Sequence, residues 1–329
     1  MNHLKLLAPK TLWVCMTLAI GAVTSTALAQ APYPNKPVTL VVTYPPGGGA
    51  DAMARLIAPK MGEALGQPIV IENKPGAGGQ IGAAAVAKAA PDGYTLMLDA
   101  SSFSVNPSLY PKLPYDSMKA FKPIGVVALF PNVVLVNANF QAKNVAELIA
   151  AARKSKDAVS YASSGNGSAQ HLAGALFESA AKVDMVHIPY KGGGPALNDV
   201  IGGQVPLFFG NLASTLQHVQ SGKLRALAVT SGKRSAILPD VPTLNESGLK
   251  GTEIYEWNAV FVPTGTPDAV VNKLAAAFQQ ALDSAEVKAR IAQLGGDIQK
   301  GSPEQAKKFI EQQISLWGQV IKERAITTE

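Results

Sequence analysis

The stretch "PVTLVVTYPPGGGADAMARLIAP" (residues 37–59) decides the fold. An apolar β-type run at 38–44 ends at Pro45 and Pro46, three glycines follow, and a helical pattern begins at Asp51. A strand, a glycine-rich turn and a helix in this order form one unit of an α/β sheet. No Lys or Arg stands in the turn, so any group that lies against it meets bare backbone.

The same alternation continues along the chain and predicts a mainly parallel sheet with helices on both faces. Strands are predicted at 38–44, 68–73, 94–99, 124–137, 158–162, 184–188, 205–209, 224–230 and 254–263. Helices are predicted at 51–65, 80–89, 144–155, 168–181, 194–202, 212–221, 267–284, 285–294 and 303–323, and a loop precedes the fourth strand.

Two of the apolar runs, 124–137 and 254–263, are long enough to pass from one sheet into another. Two such crossing strands would divide the chain into two α/β lobes with a central cleft. We therefore expect a first lobe made of residues 30–130 and 259–329, and a second lobe made of residues 131–258.

The N-terminus has the pattern of a cleavable secretory signal peptide over residues 1–29. Lys5 and Lys10 form a basic head, an apolar segment follows, and Ala27-Leu28-Ala29 has the small-residue spacing of a cleavage site. A retained membrane anchor is the alternative interpretation. Gly, Thr and Ser dilute the apolar segment, which is marginal against the roughly 20 residues that a membrane span needs.

The composition excludes several classes of function. Cys15 is the only cysteine and lies in the leader, so the processed chain would have no disulfide, thiol nucleophile or cysteine-based metal site. Without Lys5 and Lys10, 27 of the 29 basic residues remain against 23 acidic ones, a net charge of +4. That charge is dispersed, so nucleic acid is not an expected partner. An exported, cysteine-free protein suits a bacterial periplasm, and we expect a monomer without cofactor or metal.

Several glycine-rich turns stand between a strand and a helix. We call them the first (44–51), second (73–79), third (163–168) and fourth (190–194) glycine loops. Unpaired N–H groups and a partial positive charge lie at a helix N-terminus, and glycines let a ligand touch the backbone. One such turn can be simple chain reversal, but a repeated arrangement favours a carboxylate ligand held by amides. Asp51 would then be an N-cap that could also hold a bridging water or a ligand ammonium group.

Two enzyme interpretations remain as alternatives. Ser168 and His171 could form the hydroxyl–imidazole pair of a periplasmic hydrolase, although a packing or surface histidine is the more common case. The pattern Gly76-x-Gly78-x-x-x-Gly82, with Asp99 about 20 residues on, mimics a dinucleotide site, but it does not stand in the first βα unit. The dispersed histidines make a poor metal site.

The ordered motifs of the chain resemble the periplasmic solute-binding proteins of tripartite tricarboxylate transporters, also called Bug proteins. The resemblance covers the whole chain after the leader. It is carried by YPPGGGAD (44–51), ENKPGAGGQIGA (72–83), APDGYTL (90–96), LPYD (113–116), YASSGNGSAQHLAG (161–174), HIPYKGGGPALNDVIGGQV (187–205), GKLRALAVTSGKRSAILPDVPTLNESG (222–248) and VPTGTP (262–267).

The resemblance implies a type II periplasmic binding fold that closes on a small organic acid and delivers it to membrane permease subunits, without catalysis. A dicarboxylate, tricarboxylate or aromatic acid would suit it. Feeding a transporter and signalling to a membrane sensor both remain open. The implied ligand-binding residues are Tyr44, Gly47, Gly48, Asp51, Gly76, Ala77, Gly78, Ser101, Ser163, Ser164, Gly167, Ser168, Tyr190 and Asn211.

The sequence departs from the family pattern at a few of these loops. Gly210 stands where the family usually has Asp, which removes a charge near the cleft and puts the acceptance of amino acids in question. Gly49 replaces a common Pro and so loosens the first glycine loop. Gln80 replaces a common Asn.

Overall fold

The computed structural model describes residues 33–155 and 158–327, so the predicted signal peptide lies outside the described residues. The strands are β1 (Val38–Val42), β2 (Ile69–Asn73), β3 (Thr95–Ala100), β4 (Phe121–Asn137), β5 (Ser160–Ser163), β6 (Val186–Pro189), β7 (Leu207–Asn211), β8 (Leu224–Val229), β9 (Tyr255–Pro263) and β10 (Asp297–Ile298). The helices are α1 (Gly49–Leu65), α2 (Gln80–Ala87), α3 (Ser102–Leu109), α4 (Val145–Ala152), α5 (Ala169–Ala181), α6 (Gly193–Ile201), α7 (Leu212–Gln220), α8 (Asp268–Asp283), α9 (Ala285–Gln293) and α10 (Pro303–Arg324).

The strands of the described chain form one curled sheet in the order β2-β1-β3-β9-β4-β7-β5-β6, and β8 and β10 also pair with β4. The outer strands are parallel: β1 with β2 and β3, and β5 with β6 and β7. The pairs made by β4 and β9 are antiparallel. The prediction of a mainly parallel sheet is therefore right for the two outer parts and wrong for the centre.

The centre of the sheet is antiparallel because the two long strands run against their neighbours. β4 pairs with β9 from Phe121 to Pro131, and beyond that point it pairs with β7 and β8. β9 pairs only with β3 and β4, but Ile254, just before it, exchanges hydrogen bonds with Thr230 beyond the end of β8. The chain therefore passes twice between the two halves of the sheet, once within β4 and once just before β9, as the long apolar runs predicted.

Apolar side chains at helical spacing pack the helices onto the sheet. On α1, Met53, Ile57 and Met61 follow one another at i, i+4 and i+8, and each is at most 3% exposed. They join β1, β3 and α8 in the first core. The second core is built around Tyr161 and Phe209 with the buried face of α5.

Two helices contribute to the cores of both halves. The prediction placed residues 102–109 in a loop because Ser, Asn and Pro are poor helix formers, but these residues form α3. Val105 and Leu109 of α3 lie in the second core, and a Cβ added to Gly167 would stand 2.5 Å from Leu109 Cδ2. α10 contributes Ile310 to a core beside β9 and Trp317 to the second core. Within the described ranges, no helix combines the length and apolarity of a membrane span.

Candidate functional site

The first glycine loop is held in place by Asp51, which is 2% exposed. Asp51 Oδ2 accepts hydrogen bonds from Gly47 N at 2.9 Å and Arg55 Nε at 2.8 Å, and Asn73 Nδ2 donates to Oδ1 at 2.9 Å. Burial opposes ionisation, but these hydrogen bonds outweigh it and lower the pKa of Asp51. The prediction that Asp51 is an N-cap is wrong: Gly48 is the N-cap, without a side-chain bond. Asp51 instead ties the loop to its own helix and to β2.

Three amides at the start of α1 remain without an acceptor in the described chain. They belong to Gly49, Ala50 and Asp51, because the next amide, Ala52 N, already donates to Gly48 O. The first N–H groups of a helix have no intrahelical partner and carry the positive end of its dipole. This edge of the first glycine loop can therefore bind an anion without a basic side chain.

The second glycine loop has a run of left-handed backbone. Gly76, Ala77, Gly78 and Gly79 have φ values of 130°, 49°, 63° and 91°. Ala77 is the informative one, because a residue with a Cβ rarely adopts such a conformation and strain of this kind clusters at ligand-binding turns. Asn106 Nδ2 of α3 donates to Gly78 O at 2.9 Å and fixes the loop. Successive amides in such a turn form a concave anion-binding surface.

The basic side chains beside these two loops are paired with carboxylates of the protein. Arg55 is bonded to Asp51, and Lys74 Nζ lies 3.1 Å from Glu72 Oε1. Both cations thus have a carboxylate of the protein as a partner. The first glycine loop itself contains no Lys or Arg, and these basic side chains near it in the fold are paired with carboxylates of the protein.

In the third glycine loop, the hydroxyls of Ser163 and Ser168 are used by the protein itself. Ser163 Oγ accepts from Gly165 N at 3.1 Å and lies 2.6 Å from His187 Nε2. Ser168 is the N-cap of α5: its Oγ accepts from His171 N at 3.2 Å and donates to Gly165 O at 2.7 Å. Both serines shape the loop through these hydrogen bonds, and their contact with a ligand stays a prediction.

Two stacked histidines, His171 and His187, contact the third glycine loop through hydrogen bonds to Gly167 and Ser163. The rings of His171 and His187 are 3.9 Å apart and nearly parallel, and Gly167 N donates to His171 Nδ1 at 3.1 Å. The predicted Ser168–His171 catalytic pair is therefore not formed. The pair that does exist, Ser163 with His187, is unsuited to nucleophilic attack because Ser163 is 0% exposed. Burial, with some repulsion from His171, also lowers the pKa of His187 to about 3, which makes it a weak base.

The histidine stack predicts a pH-dependent contribution to stability. Burial lowers the folded-state pKa of His171 to about 4 and that of His187 to about 3, below the 6.5 expected for an unfolded chain. The stack therefore stabilises the fold fully above pH 6.5, and this stability is lost as pH falls towards the folded pKa values. We expect His187→Gln to be less stable than wild type at pH 7, with the difference narrowing by about 1–2 kcal/mol at pH 4.5.

Urea denaturation of both proteins at the two pH values measures this effect. The pH dependence of wild-type stability alone does not isolate the histidines. Burial raises the pKa of nearby Glu178 to about 7, so protonation of that carboxyl stabilises the fold as the pH falls. A constant difference between wild type and His187→Gln from pH 7 to pH 4.5 would show that the histidine does not titrate with unfolding.

Most of the other predicted ligand-binding residues have an intramolecular partner. Tyr44 Oη is 2.6 Å from Ser102 Oγ. Ser101, the residue before Ser102, is the N-cap of α3. Asn211 is the N-cap of α7, where its Oδ1 accepts from Ala213 N at 2.8 Å. Tyr190 Oη donates to Asp199 Oδ2 of α6 at 2.7 Å. Ser164 keeps a partly exposed side chain next to that loop.

The floor between the glycine loops is polar. Ser101 and Ser102 were predicted to contribute to it, and the structure adds side chains that were not predicted as part of the site. Asp99 near the end of β3 is fully buried. Its Oδ1 accepts hydrogen bonds from Thr43 Oγ1 and from the backbone N–H of Ala100, while its Oδ2 has no partner. Asn106 Oδ1 and Asn132 Nδ2 are also buried without a partner. Buried polar atoms are normally satisfied by protein, water or ligand, so these atoms indicate where a polar guest belongs.

The floor also contains Glu256 of β9. Gln170 Nε2 of α5 lies 3.5 Å from Glu256 Oε2 and 3.4 Å from Asn132 Oδ1, so it connects the two crossing strands. Burial raises the pKa of Glu256 to about 7 and that of Asp99 to about 6. These residues escaped prediction because they have no common motif: they come from β3, β4, α5 and β9, and only the fold assembles them.

The arrangement does not fit the other sequence-based alternative. Asp99 would have to contact a ribose in a dinucleotide site, but it is buried against Thr43 and Gly79: a Cβ on Gly79 would lie 2.9 Å from Asp99 Oδ1. Among the residues that the structure describes, no group of three His, Cys, Asp or Glu side chains could hold a metal ion.

Comparison with known proteins identifies the family. The family described as "Tripartite tricarboxylate transporter family receptor" (TctC) matches residues 53–326. The periplasmic binding protein BugD is 40% identical with a TM-score of 0.85, over 90% of this chain and 99% of that one. MatC from Rhodopseudomonas palustris with bound malate is 35% identical, TM-score 0.83, over 88% and 100%. R. palustris Rpa4515 with adipate is 35% identical, TM-score 0.86, over 90% and 99%. The chain thus has the fold of these binding proteins and belongs to the TctC family of solute-binding receptors.

Proposed function

We propose that this protein captures a small organic acid in the periplasm and delivers it to the membrane permease subunits of a tripartite tricarboxylate-type transporter. One carboxylate of the ligand binds between the first and second glycine loops. Peptide N–H groups, rather than basic side chains, hold its oxygens. The protein performs no catalysis and acts as a monomer.

The observation that carries the proposal is the pair of facing glycine loops with uncommitted amides above a floor of unpartnered polar atoms. The start of α1 offers the amides of Gly49, Ala50 and Asp51. The second loop offers those of Gly76, Ala77 and Gly78, since Gly79 N already donates to Gly76 O at 3.1 Å. Each hydrogen bond to a charged acceptor contributes about 1.5–3 kcal/mol. Four or five of them, less the cost of ordering the ligand and closing the cleft, reach micromolar affinity or better.

The second half of the protein would close over the other end of the ligand. Ser164, the amides of the third glycine loop and Asn211 are the groups proposed to contact it there. The structure of MatC with malate and that of Rpa4515 with adipate support a dicarboxylate as the ligand class. The sequence pattern of residues 1–29 supports export, and the family description supports a transporter as the partner.

A thermal-shift screen of the purified protein against malate, adipate, citrate, benzoate and glutamate tests this function. A ligand at one hundred times its dissociation constant stabilises the folded state by about 2.7 kcal/mol, which raises the melting temperature by several degrees. We expect malate or adipate to give such a shift and sodium chloride at equal ionic strength to give none. Stabilisation by none of the acids, or equal stabilisation by the salt, would contradict the proposal.

A further inference from the structure

Glu256 stands where the two halves of the protein meet. The last pair between β3 and β9 joins Ala100 to Asn258, so Glu256 lies just beyond the end of β3, opposite Phe130 of β4. Ser101, at the start of α3, stands beside it in one half of the molecule, and Gln170 Nε2 lies 3.5 Å from its Oε2 in the other half. Glu256 as a residue is only half-buried, although its carboxyl group lies among these neighbours.

No cation compensates the charge of Glu256. None of the ion pairs among residues 33–155 and 158–327 involves Glu256 or Asp99. The titratable groups that face Glu256 are Asp99 from β3 and Tyr44 from the first glycine loop. The elements packed on its other sides contribute the neutral amides of Gln170 and Asn132. The centre of the site thus contains two carboxyl groups and no positive side chain.

A carboxylate ligand would bring another negative charge into this centre. We propose that Glu256 takes up a proton when an anionic ligand binds, so that capture of the acid is coupled to protonation of the receptor. This inference rests on the proposed function, because it assumes that the ligand carboxylate lies between the glycine loops. A protonated Glu256 removes one like-charge repulsion and presents an O–H donor where the ionised group presents only acceptors.

The direction of the effect follows from linkage. Burial already raises the pKa of Glu256 to about 7, and an anion beside it raises the pKa further in the complex. Binding is therefore favoured at low pH, and this advantage is lost as pH rises through the pKa of the complex. The expected result is uptake of about 0.3–0.8 proton per ligand near pH 7.5 and affinity that falls up to about tenfold per pH unit above that value.

Isothermal titration of malate and adipate into the protein in phosphate and Tris buffers tests the inference. The two buffers have different heats of ionisation, so the difference in observed enthalpy counts the protons exchanged. Both carboxyl groups of each acid are ionised at pH 7 and above, so an exchanged proton belongs to the protein. We expect the exchange in wild type, and we expect Glu256→Gln to bind with no exchange and with nearly pH-independent affinity.

Glu253→Gln is the matched control, because Glu253 is an exposed acid three residues earlier in the same segment. It should exchange protons as wild type does. Glu178 also titrates near pH 7, but it lies eight residues beyond Gln170 on α5, about 12 Å along the helix axis. Retained exchange in Glu256→Gln would assign the proton to another group and overturn the inference.

The outcomes also separate this inference from the proposed function. Binding of malate or adipate to wild type without proton exchange overturns the inference and leaves the proposed function intact. An absence of binding heat for both acids at pH 6 and pH 8 counts against the proposed function and against this inference with it.

Discussion

Gly48→Ala is expected to weaken binding of the organic acid by at least about 100-fold while leaving the melting temperature of the free protein within about a degree of wild type. Gly48 has φ −83°, which any residue adopts, and an added Cβ would lie 3.5 Å from Pro45 O, an ordinary contact. The protein itself therefore accepts the methyl group. Ligand binding does not tolerate the methyl group, because it would separate the ligand carboxylate from the amides at the start of α1. Losing two charge-assisted hydrogen bonds of about 1.5–3 kcal/mol each weakens binding by this factor or more.

Gly194→Ala is the control for this substitution. Gly194 lies in the first turn of α6, has no left-handed backbone and would place its Cβ in open space. It is the last residue of the fourth glycine loop, which contributes no amide to the proposed clamp. Titration calorimetry should show wild-type affinity for Gly194→Ala and little or no binding for Gly48→Ala. Equal affinities for the two variants would mean that the first glycine loop is only a chain reversal.

Gly48 is a better test position than Gly78 for a structural reason. Gly78 has φ +63°, and an added Cβ would lie 3.4 Å from Asn106 Oδ1. A side chain there would strain the backbone and crowd α3, so lost binding could follow from a distorted loop. At Gly48 the same loss would report the ligand alone.

The local patterns of the sequence predicted most of the fold. Alternating apolar runs and glycine turns placed nearly every strand and helix, because each unit carries its own periodicity and its own breaks. The exceptions are β10, a strand of only two residues, and α3, whose Ser-, Asn- and Pro-rich sequence forms a helix since Val105 and Leu109 are drawn into the second core. Tertiary packing there outweighs a weak intrinsic propensity.

The candidate site was predictable only where it consists of backbone. Glycine loops have a sequence signature, so Gly48 and Ala77 could be named in advance. Side-chain roles were harder to assign. Asp51 and Ser168 are polar residues beside these loops, and the structure shows that both hold the loop itself. Glu256 gives no such signal, because it is one acid in a strand until the fold brings it against Gln170.

The other large effect concerns α10, which joins the two halves of the molecule. Trp317→Ala is expected to lower the free energy of unfolding by about 3–5 kcal/mol, the usual cost of truncating a fully packed aromatic residue. Trp317 is 3% exposed and packs in the second core, although α10 begins against a core next to β9. The cavity would therefore open at the place where the helix is anchored to the other half of the protein.

Leu316→Ala provides the comparison, because the neighbouring Leu316 points away from the core and is 44% exposed. This variant should lose less than about 1 kcal/mol, since little apolar surface is returned to water and no cavity forms. Urea denaturation followed by far-ultraviolet circular dichroism measures both variants without relying on tryptophan fluorescence. Similar small losses for the two substitutions would show that the end of α10 lies loosely on the surface. A large loss for Trp317→Ala alone would show that the C-terminal helix, assigned by sequence order to one lobe, is a structural part of both.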